Sequence, residues 1–517
     1  MKNYWSLLGS SLLCMLLIAC EKDEEATAPT TLLPQIEVVQ NPSGHAPLTA
    51  LLKIELNLAA SLRLRVVGKN GAASDLVQEF NTVRQAFELP LLGLYPDYNN
   101  QVELTFLDAS GASLATETIN IQTEPLIADM PEISIQTAQK MAMAEGWNFV
   151  NYFGHNGESL PQRPFFFDAF GDIRWYLDYS THDQLSELFY DYGMTRMPNG
   201  HFIFGNRNDG AIYEINMLGE IVRRYSLHDY GFHHTVIAKP NGNLLVTVTD
   251  KGRSTEEDII MELDGETGAI DNLWDLTLSL DPQRRAWETN LADLDSDWFH
   301  ANGLAFSPDD QSIIVSGRTQ GTVKLDDNNR VVWIVAPHRG WESPRNSEDL
   351  QQYLLQPLDA NGDPILDPQV LEGVSNHPDF EWPWYQHSPA LTANGNLLLF
   401  DNGDNRNYGN AGKYSRAVEY EINEIDKTIR QVWAYGKERG EETYSRVVSG
   451  IGSLDEKDNI LFAPGAIDYN GETYGKVIEI DRQSGQRLFE ATIRAPQTLW
   501  IISFHNVHRL PIYPDTL

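Results

Sequence analysis

"MTRMPNGHFIFGNRNDGAIYEINMLGEIVRRYSL", residues 194–227, contains four short apolar runs separated by turn residues. The Pro-Asn-Gly sequence at 198–200 predicts a tight turn between the first two runs, and the next two runs also have strand length. The order of runs and turns is that of a four-stranded antiparallel meander. One such unit is too small to bury an apolar face alone, so copies of it are expected along the chain.

The pattern returns four more times, with turn-linked strand pairs at 235–248, 303–317, 388–403 and 452–465. A sixth unit can be assembled from both ends of this region, because three runs lie within 148–179 and the last run lies at 505–513. A strand from the far terminus would close a ring of units and remove its open edge. The sequence therefore predicts an all-β protein in which residues 137–517 form a six-bladed β-propeller.

The N-terminal part has a different character. Residues 1–19 resemble a secretory signal of the lipoprotein type, which implies cleavage before Cys20 and lipidation of its thiol. Acidic residues in 20–33 predict a solvated tether. The lipid alone would then hold the protein at a membrane. Residues 34–125 alternate short apolar runs with turns, which predicts a small β-sandwich domain.

Composition narrows the classes of function. The 517-residue chain has a formal net charge of −35, which disfavours nucleic acid or an anionic lipid surface as a partner. Its two cysteines are Cys14, inside the signal, and Cys20, so the mature chain has no thiol for a disulfide, a metal site or a nucleophile. The sequence also lacks a G-x-x-x-x-G-K-[ST] phosphate loop, which disfavours nucleotide-dependent chemistry.

The first strand of each propeller blade lines the central channel, and its start opens onto one face. The residues that stand six positions before the six hairpin turns are Tyr192, His234, Asn302, His387, Gly450 and His505. We therefore expect three histidines and an asparagine to converge on one mouth of the channel. Strand alternation places His233 on the opposite side of its strand from His234, where a structural role is expected.

Further residues reach the same mouth from loops. His300 lies two positions before Asn302, and Arg318 ends the strand that returns to this face. Aromatic residues, including Trp384, precede three of the inner strands. The predicted site is cationic with aromatic walls, which suits an anion attached to an aryl ring.

Two other interpretations stay open at this point. His234, His300, His387 and His505 could ligate a divalent metal, although Arg318 and the lack of a carboxylate in the shared register argue against it. The fold alone dictates no chemistry, so a non-catalytic propeller that binds a glycan or a protein is the second alternative.

The order and local context of His234, His300, Asn302, Arg318 and His387, the last within "YQHSPALTANGN", resemble the active-site pattern of the bacterial arylsulfate sulfotransferase family. The segments "NPSGHAPLTALLKIEL" and "LYPDYNNQVEL" are similar to the N-terminal domain of that family. The resemblance implies a six-bladed propeller that moves a sulfuryl group from an aryl sulfate to a phenol, without nucleotide or other cofactor, through a sulfohistidine. It implies that His387 is the nucleophile.

The chemistry of the transfer suggests roles for the other residues. Arg318, Asn302 and His300 are expected to donate to the sulfuryl oxygens, and His234 to act as the general acid and base. His505, Tyr192 and Trp384 are expected to bind substrate. Because Arg318 is cationic, it should favour the neutral form of every nearby imidazole.

Overall fold

The computed structural model describes residues 31–155, 162–188, 193–285, 295–341, 348–496, 499 and 501–514. The signal segment with Cys20 lies outside the described residues, as does Tyr192. The class is all-β, as predicted, with short helical turns between strands. None of the helices in the described part of the chain is long and apolar enough to cross a membrane.

The N-terminal strands form one hydrogen-bonded antiparallel sheet. Its strands are β1 (Pro34–Gln40), β2 (Ala50–Val66), β3 (Leu76–Leu91), β4 (Asn99–Leu107) and β5 (Ser113–Gln122). The long strand β2 pairs with β3 along one edge, while β1 and β4 pair with its first and second halves along the other. The two-layered sandwich remains a prediction, since all five strands belong to one hydrogen-bonded sheet.

The rest of the described residues contains twenty-seven strands. In chain order they are β6 (Glu132–Ala138), β7 (Trp147–His155), β8 (Phe165–Phe167), β9 (Ile173–Tyr176), β10 (Met194–Arg196), β11 (Phe202–Asn206), β12 (Ala211–Ile215), β13 (Ile221–Ser226), β14 (Tyr230–Ala238), β15 (Leu244–Asp250), β16 (Ile259–Leu263), β17 (Ile270–Asp275), β18 (Ala301–Ser307), β19 (Ser312–Gly317), β20 (Gly321–Leu325), β21 (Val331–Val335), β22 (Gln356–Leu358), β23 (His387–Leu391), β24 (Leu397–Asp401), β25 (Arg416–Asn423), β26 (Thr428–Tyr435), β27 (Gly450–Leu454), β28 (Asn459–Ala463), β29 (Ile467–Tyr469), β30 (Glu472–Asp481), β31 (Arg487–Arg494) and β32 (Ile501–Leu510). The short α-helical turns are α1 (Leu276–Ser279), α2 (Pro368–Leu371) and α3 (Arg406–Gly409), and 3-10 turns occupy Ala72–Ser74, Leu350–Tyr353 and Lys437–Thr443.

In the described residues these strands form six sheets, each built on a four-stranded antiparallel meander, and β22 adds to one of them in parallel with β26. Three sheets contain only consecutive strands, in the orders β10 to β13, β14 to β17 and β18 to β21. The next two carry additional strands, because β22 extends the sheet of β23 to β26, and β6 and β29 join that of β27, β28, β30 and β31. In the sixth sheet the C-terminal β32 pairs with β7, followed by β8 and β9.

The first strands of neighbouring sheets contact each other in the order β10, β14, β18, β23, β27 and β32. The ends of this series also meet. The guanidinium of Arg196, the last residue of β10, donates to the backbone oxygens of Pro511 and Ile512 directly after β32. The ends of the first and last inner strands of the described chain are thereby held together.

Four of these inner strands are irregular at the same point, near their start. The pairing register shifts between Phe232 and Val236 in β14, Ala301 and Gly303 in β18, His387 and Ala390 in β23, and Phe504 and Val507 in β32. A β-bulge turns side chains away from strict alternation and often lies beside an active site. Each bulge here contains or adjoins one of the residues that the hairpin register selects.

Candidate active site

The residues at the bulges form a histidine cluster of His234, His300, His387 and His505. The ring centroids of His234 and His300 are 4.7 Å apart, and that of His505 lies 5.7 Å from His234 and 6.3 Å from His387. All four residues are buried. The predicted convergence of His234, His387 and His505, and the approach of His300 from its loop, are therefore present in the described structure.

The backbone is strained where it aims these side chains. His234 and His300 have φ values of 51° and 58°, in the left-handed region that residues other than glycine rarely adopt. Ser388, directly after His387, has a φ of 52°. Such strain collects at functional sites, where the surrounding fold holds it.

His233 does not point away from His234, contrary to the expectation from strand alternation. The two Nδ1 atoms are 3.3 Å apart, because the left-handed φ of His234 within the bulge cancels the alternation. His233 is also fully buried, and burial lowers the pKa of its imidazole. It therefore packs behind His234 as a neutral ring.

Two carboxylates surround His300, and the shared register did not predict them. His300 Nδ1 lies 2.6 Å from Asp297 Oδ2 and 2.8 Å from Glu257 Oε2. Glu257 Oε2 is also 3.6 Å from Nδ1 of His234. Both acids are on loops. Glu257 lies two residues before β16, and Asp297 lies three residues before His300, so neither stands in an inner strand.

These carboxylates set the charge of His300. Burial by itself lowers the pKa of this imidazole, and Arg318 acts in the same direction. The charge of Glu257 and the hydrogen bonds to both acids outweigh them, and the pKa of His300 rises to about 9. For Glu257 burial acts in the opposite direction and raises the pKa, but the neighbouring histidines, His300 most strongly, hold this pKa well below its usual value. Arg318 favours the neutral form of His300, as expected, but the two carboxylates outweigh it.

His387 has a different partner on the same ring atom. Its Nδ1 lies 2.8 Å from Oδ1 of Asn402, the residue directly after β24. The amide nitrogen of Asn402 donates to the backbone oxygens of Ser445 and Val448 at 2.8 and 3.0 Å, which fixes Oδ1 toward the ring. An amide oxygen can only accept, so the proton is on Nδ1 of His387.

The surroundings of His387 favour its neutral form. Burial, then the charges of His505, Arg318 and His234, lower the pKa of His387 well below its ordinary value, and the hydrogen bond to Asn402 only partly opposes them. With Nδ1 protonated, Nε2 carries the lone pair. His387 is therefore a neutral imidazole whose Nε2 can act as a nucleophile.

The segment before His387 is fastened to the neighbouring sheet. Asn302 Nδ2 and Ser316 Oγ both donate to the backbone oxygen of Gln386, at 3.0 and 3.1 Å, and Gln386 Nε2 donates to Gly317 at 2.9 Å. Asn302 thus uses one amide N–H to position the strand that begins at His387. Among the described residues, Asn302 Oδ1 and His300 Nε2 have no hydrogen-bond partner.

Arg318 and the aromatic residues lie beside this cluster. The Arg318 guanidinium is 5.4 Å from the centroid of Tyr385 and 3.8 Å from Asp297 Oδ2. Trp384 is only 1% exposed and packs in the core, with its ring 5.2 Å from Tyr408. Tyr385, which the sequence did not single out, is thus an aromatic residue beside this cation, while Gly450 contributes only backbone at the start of β27.

A metal ion is one chemistry that these ligand types would permit. His233, His234 and Glu257 form one group of suitable ligands, and Glu257, Asp297 and His300 form another. No carboxylate stands in the shared register, as the sequence indicates, but these two acids reach the site from loops, so the register alone does not argue against a metal. The 2.6 and 2.8 Å contacts of His300 are instead hydrogen-bond lengths, shorter than the roughly 3.3 Å that separates ligands on a tetrahedral ion.

Comparisons with known proteins identify the family of the chain. Residues 132–500 match the family model described as arylsulfotransferase, and 37–124 match that of an arylsulfotransferase Ig-like domain. The chain is 29% identical to an arylsulfate sulfotransferase AssT of Escherichia coli O6:H1 and 28% identical to one of Lelliottia amnigena. Each alignment covers 86% of this chain and 88% of the relative.

Solved structures resemble the chain more weakly. A protein of unknown function from Bacteroides caccae aligns over 70% of this chain and 98% of its own, with a TM-score of 0.40 and 11% identity, too little to support an argument. The family model instead spans most of the chain and all of the histidine cluster except His505. The protein belongs to the arylsulfotransferase family.

Proposed function

We propose that this protein transfers a sulfuryl group from an aryl sulfate ester to a phenolic acceptor, without a nucleotide, through a sulfohistidine at His387. The observation that carries the proposal is the pairing of His387 with Asn402, which directs the lone pair of the ring to Nε2. A cationic His300 and Arg318 lie in the same site, so a sulfate ester would meet a neutral nucleophile beside two fixed cations.

In the first half-reaction, Nε2 of His387 attacks sulfur. The N–S bond forms while the bond from sulfur to the phenolic oxygen breaks, and the leaving phenolate takes a proton. His234, which lies 4.7 Å from His300 and 5.7 Å from His505 between ring centroids, is the residue that we assign as its donor. Arg318 and Nε2 of His300 donate to the sulfuryl oxygens, where negative charge is concentrated in the transition state.

In the second half-reaction, the acceptor phenol gives its proton to His234 and its oxygen attacks sulfur. The N–S bond breaks, and its electron pair returns to Nε2 of His387. The protein then has its starting protonation, so no cofactor is consumed. Asn302 holds the strand of the nucleophile, and we assign His505 and Tyr192 to substrate binding on the strength of their register positions.

The same proposal covers the architecture and the location. The serial contacts of the six inner strands and the bond from Arg196 to the chain after β32 support a closed six-bladed propeller behind an N-terminal sandwich. The resemblance of residues 1–20 to a lipoprotein signal supports an extracytoplasmic protein anchored through Cys20. Replacing Cys20 with Ser should then release the protein from the membrane fraction.

The chemical step is tested by mixing the protein with 4-nitrophenyl sulfate in the absence of an acceptor. We expect a burst of about one nitrophenol per active site followed by a stall, which added phenol relieves. Peptide mass analysis should locate one sulfuryl group on His387. Direct transfer between the two phenols would instead give no burst and no adduct.

A further inference from the structure

The two Nδ1 partners in the site differ in a way that matters after the first half-reaction. Once sulfur is bound to Nε2 of His387, the ring carries a formal positive charge for as long as Nδ1 keeps its proton. It can then leave sulfur as a neutral imidazole. A ring that has lost this proton must leave as an imidazolate anion, which is a much poorer leaving group.

We infer that Asn402 is a positioning residue that keeps the proton on Nδ1 of His387 through both half-reactions, and so keeps the sulfuryl adduct reactive. The inference rests on the proposed function. Its geometric basis is that the Oδ1 of Asn402 can accept the Nδ1 hydrogen bond but, being part of a neutral amide, does not remove the proton.

The surroundings prevent Asn402 from reversing its amide. Its Nδ2 donates to two backbone oxygens, of Ser445 and Val448, so a flipped amide would place oxygen against oxygen at both contacts. The Tyr385 backbone oxygen, 3.1 Å from Nδ1 of His387, is a second neutral acceptor. Neither group facing Nδ1 carries a charge that could take the proton.

The carboxylates of the site contact a different histidine. Glu257 and Asp297 contact Nδ1 of His300, where retention of a proton by an ion pair is useful because His300 acts as a cation. A carboxylate at the position of Asn402 would raise the pKa of the free His387 and accept the proton from its sulfuryl adduct. Both changes would oppose turnover.

The wild-type protein provides the first test. Long-range proton–nitrogen NMR of protein labelled with nitrogen-15 in histidine reports the tautomer, and His387→Ala identifies the relevant signals. We expect His387 to carry its proton on Nδ1 before the burst and to retain it in the adduct. A proton on Nε2 of the free ring, in a protein that still forms the adduct on His387, would overturn the inference while leaving the proposed function intact.

The second test compares the two half-reactions in Asn402→Asp. In this variant the pH optimum of the charging step, in which the donor sulfurylates the protein, should move upward. The rate at which phenol discharges a preformed adduct should fall at least about tenfold more than the charging rate, when charging is measured at the optimum pH of the variant. Ser415→Ala is the matched control, because Ser415 Oγ donates to the backbone oxygen of Asn402 at 2.7 Å without touching the ring. Equal losses in both half-reactions, with an unmoved pH optimum, would indicate a merely structural residue.

Discussion

His300 and His387 are both buried histidines of one cluster, yet their environments favour the cation of His300 and the neutral form of His387. His300 has Glu257 and Asp297 on Nδ1, whereas His387 has the amide of Asn402 on the same atom. Burial disfavours the charged form of both rings, so burial cannot explain the difference. The carboxylates on Nδ1 raise the pKa of His300, whereas the amide of Asn402 only partly opposes the burial that lowers the pKa of His387. In the proposed reaction the first ring is a fixed cation and the second is the nucleophile.

The different protonation of the two rings suits the reaction. Sulfuryl transfer needs a lone pair on one side of sulfur and positive charge around its oxygens, and a single residue type can supply both only if its protonation is set locally. The following experiments alter one side at a time, beginning with the largest expected effect.

Removal of the nucleophile should have the largest effect. In His387→Ala, the burst and the adduct should both disappear, and turnover should fall on the order of 10⁴-fold, because the group proposed to carry sulfur is removed. Intact-mass analysis and stopped-flow absorbance measure the two outcomes. His201→Ala, at a half-buried histidine in the turn between β10 and β11, should behave as the wild type. An adduct that persists on His234, His300 or His505 would show that His387 is not the nucleophile.

Loss of a fixed cation should slow transfer without relocating sulfur. Arg318→Ala should reduce the burst rate by roughly 10² or more, because a donor to the sulfuryl oxygens is removed. The adduct should still form on His387 when incubation is prolonged. A variant that forms it at the wild-type rate would show that Arg318 does not stabilise the transition state.

Neutralising one acid should move the basic limb of the pH profile. The pKa of His300 is raised to about 9, so its cation is present below that pH and is lost as the pH rises through it. In Glu257→Gln this limb should shift to lower pH, giving about a tenfold loss of activity near pH 8.

The control for this variant is Glu262→Gln, which removes a buried carboxylate paired with Lys239 in the same sheet. Its profile should keep the wild-type shape. An alkaline limb that stays in place in Glu257→Gln would mean that His300 is not the cation that titrates.

The smallest effect is expected on the acidic side of the pH profile of the burst rate. Because the pKa of His387 lies well below its ordinary value, the burst rate should change less than about twofold between pH 7.5 and 6. A nucleophile with the ordinary histidine pKa would lose about three quarters of its neutral form over that range. Single-turnover rates across the interval distinguish the two.

Much of the site could be predicted because hairpin turns are local signals. Counting back six residues from each turn selected His234, Asn302, His387 and His505, and the structure brings them together. The fold class followed from the same repeats. The closed six-bladed ring, the sandwich and the role of each residue remain predictions.

The missed residues lie where counting from turns fails. Asn402 follows β24 just as Arg318 follows β19, so the rule that selected Arg318 would also have found Asn402. Glu257 and Asp297 belong to loops whose course depends on tertiary packing. The position of His233 was mispredicted because a bulge replaces regular alternation at His234.

The pairing of β32 with β7 has a consequence for the order of events in biosynthesis. Arg509 of β32 donates to Asn148 of β7 across 361 residues of sequence. A growing chain emerges with its N-terminal end first, so β7 cannot pair with β32 until all the strands between them have been made. His505 arrives on that same last strand, and a prematurely terminated chain consequently lacks both the partner of β7 and one of the four imidazoles of the cluster.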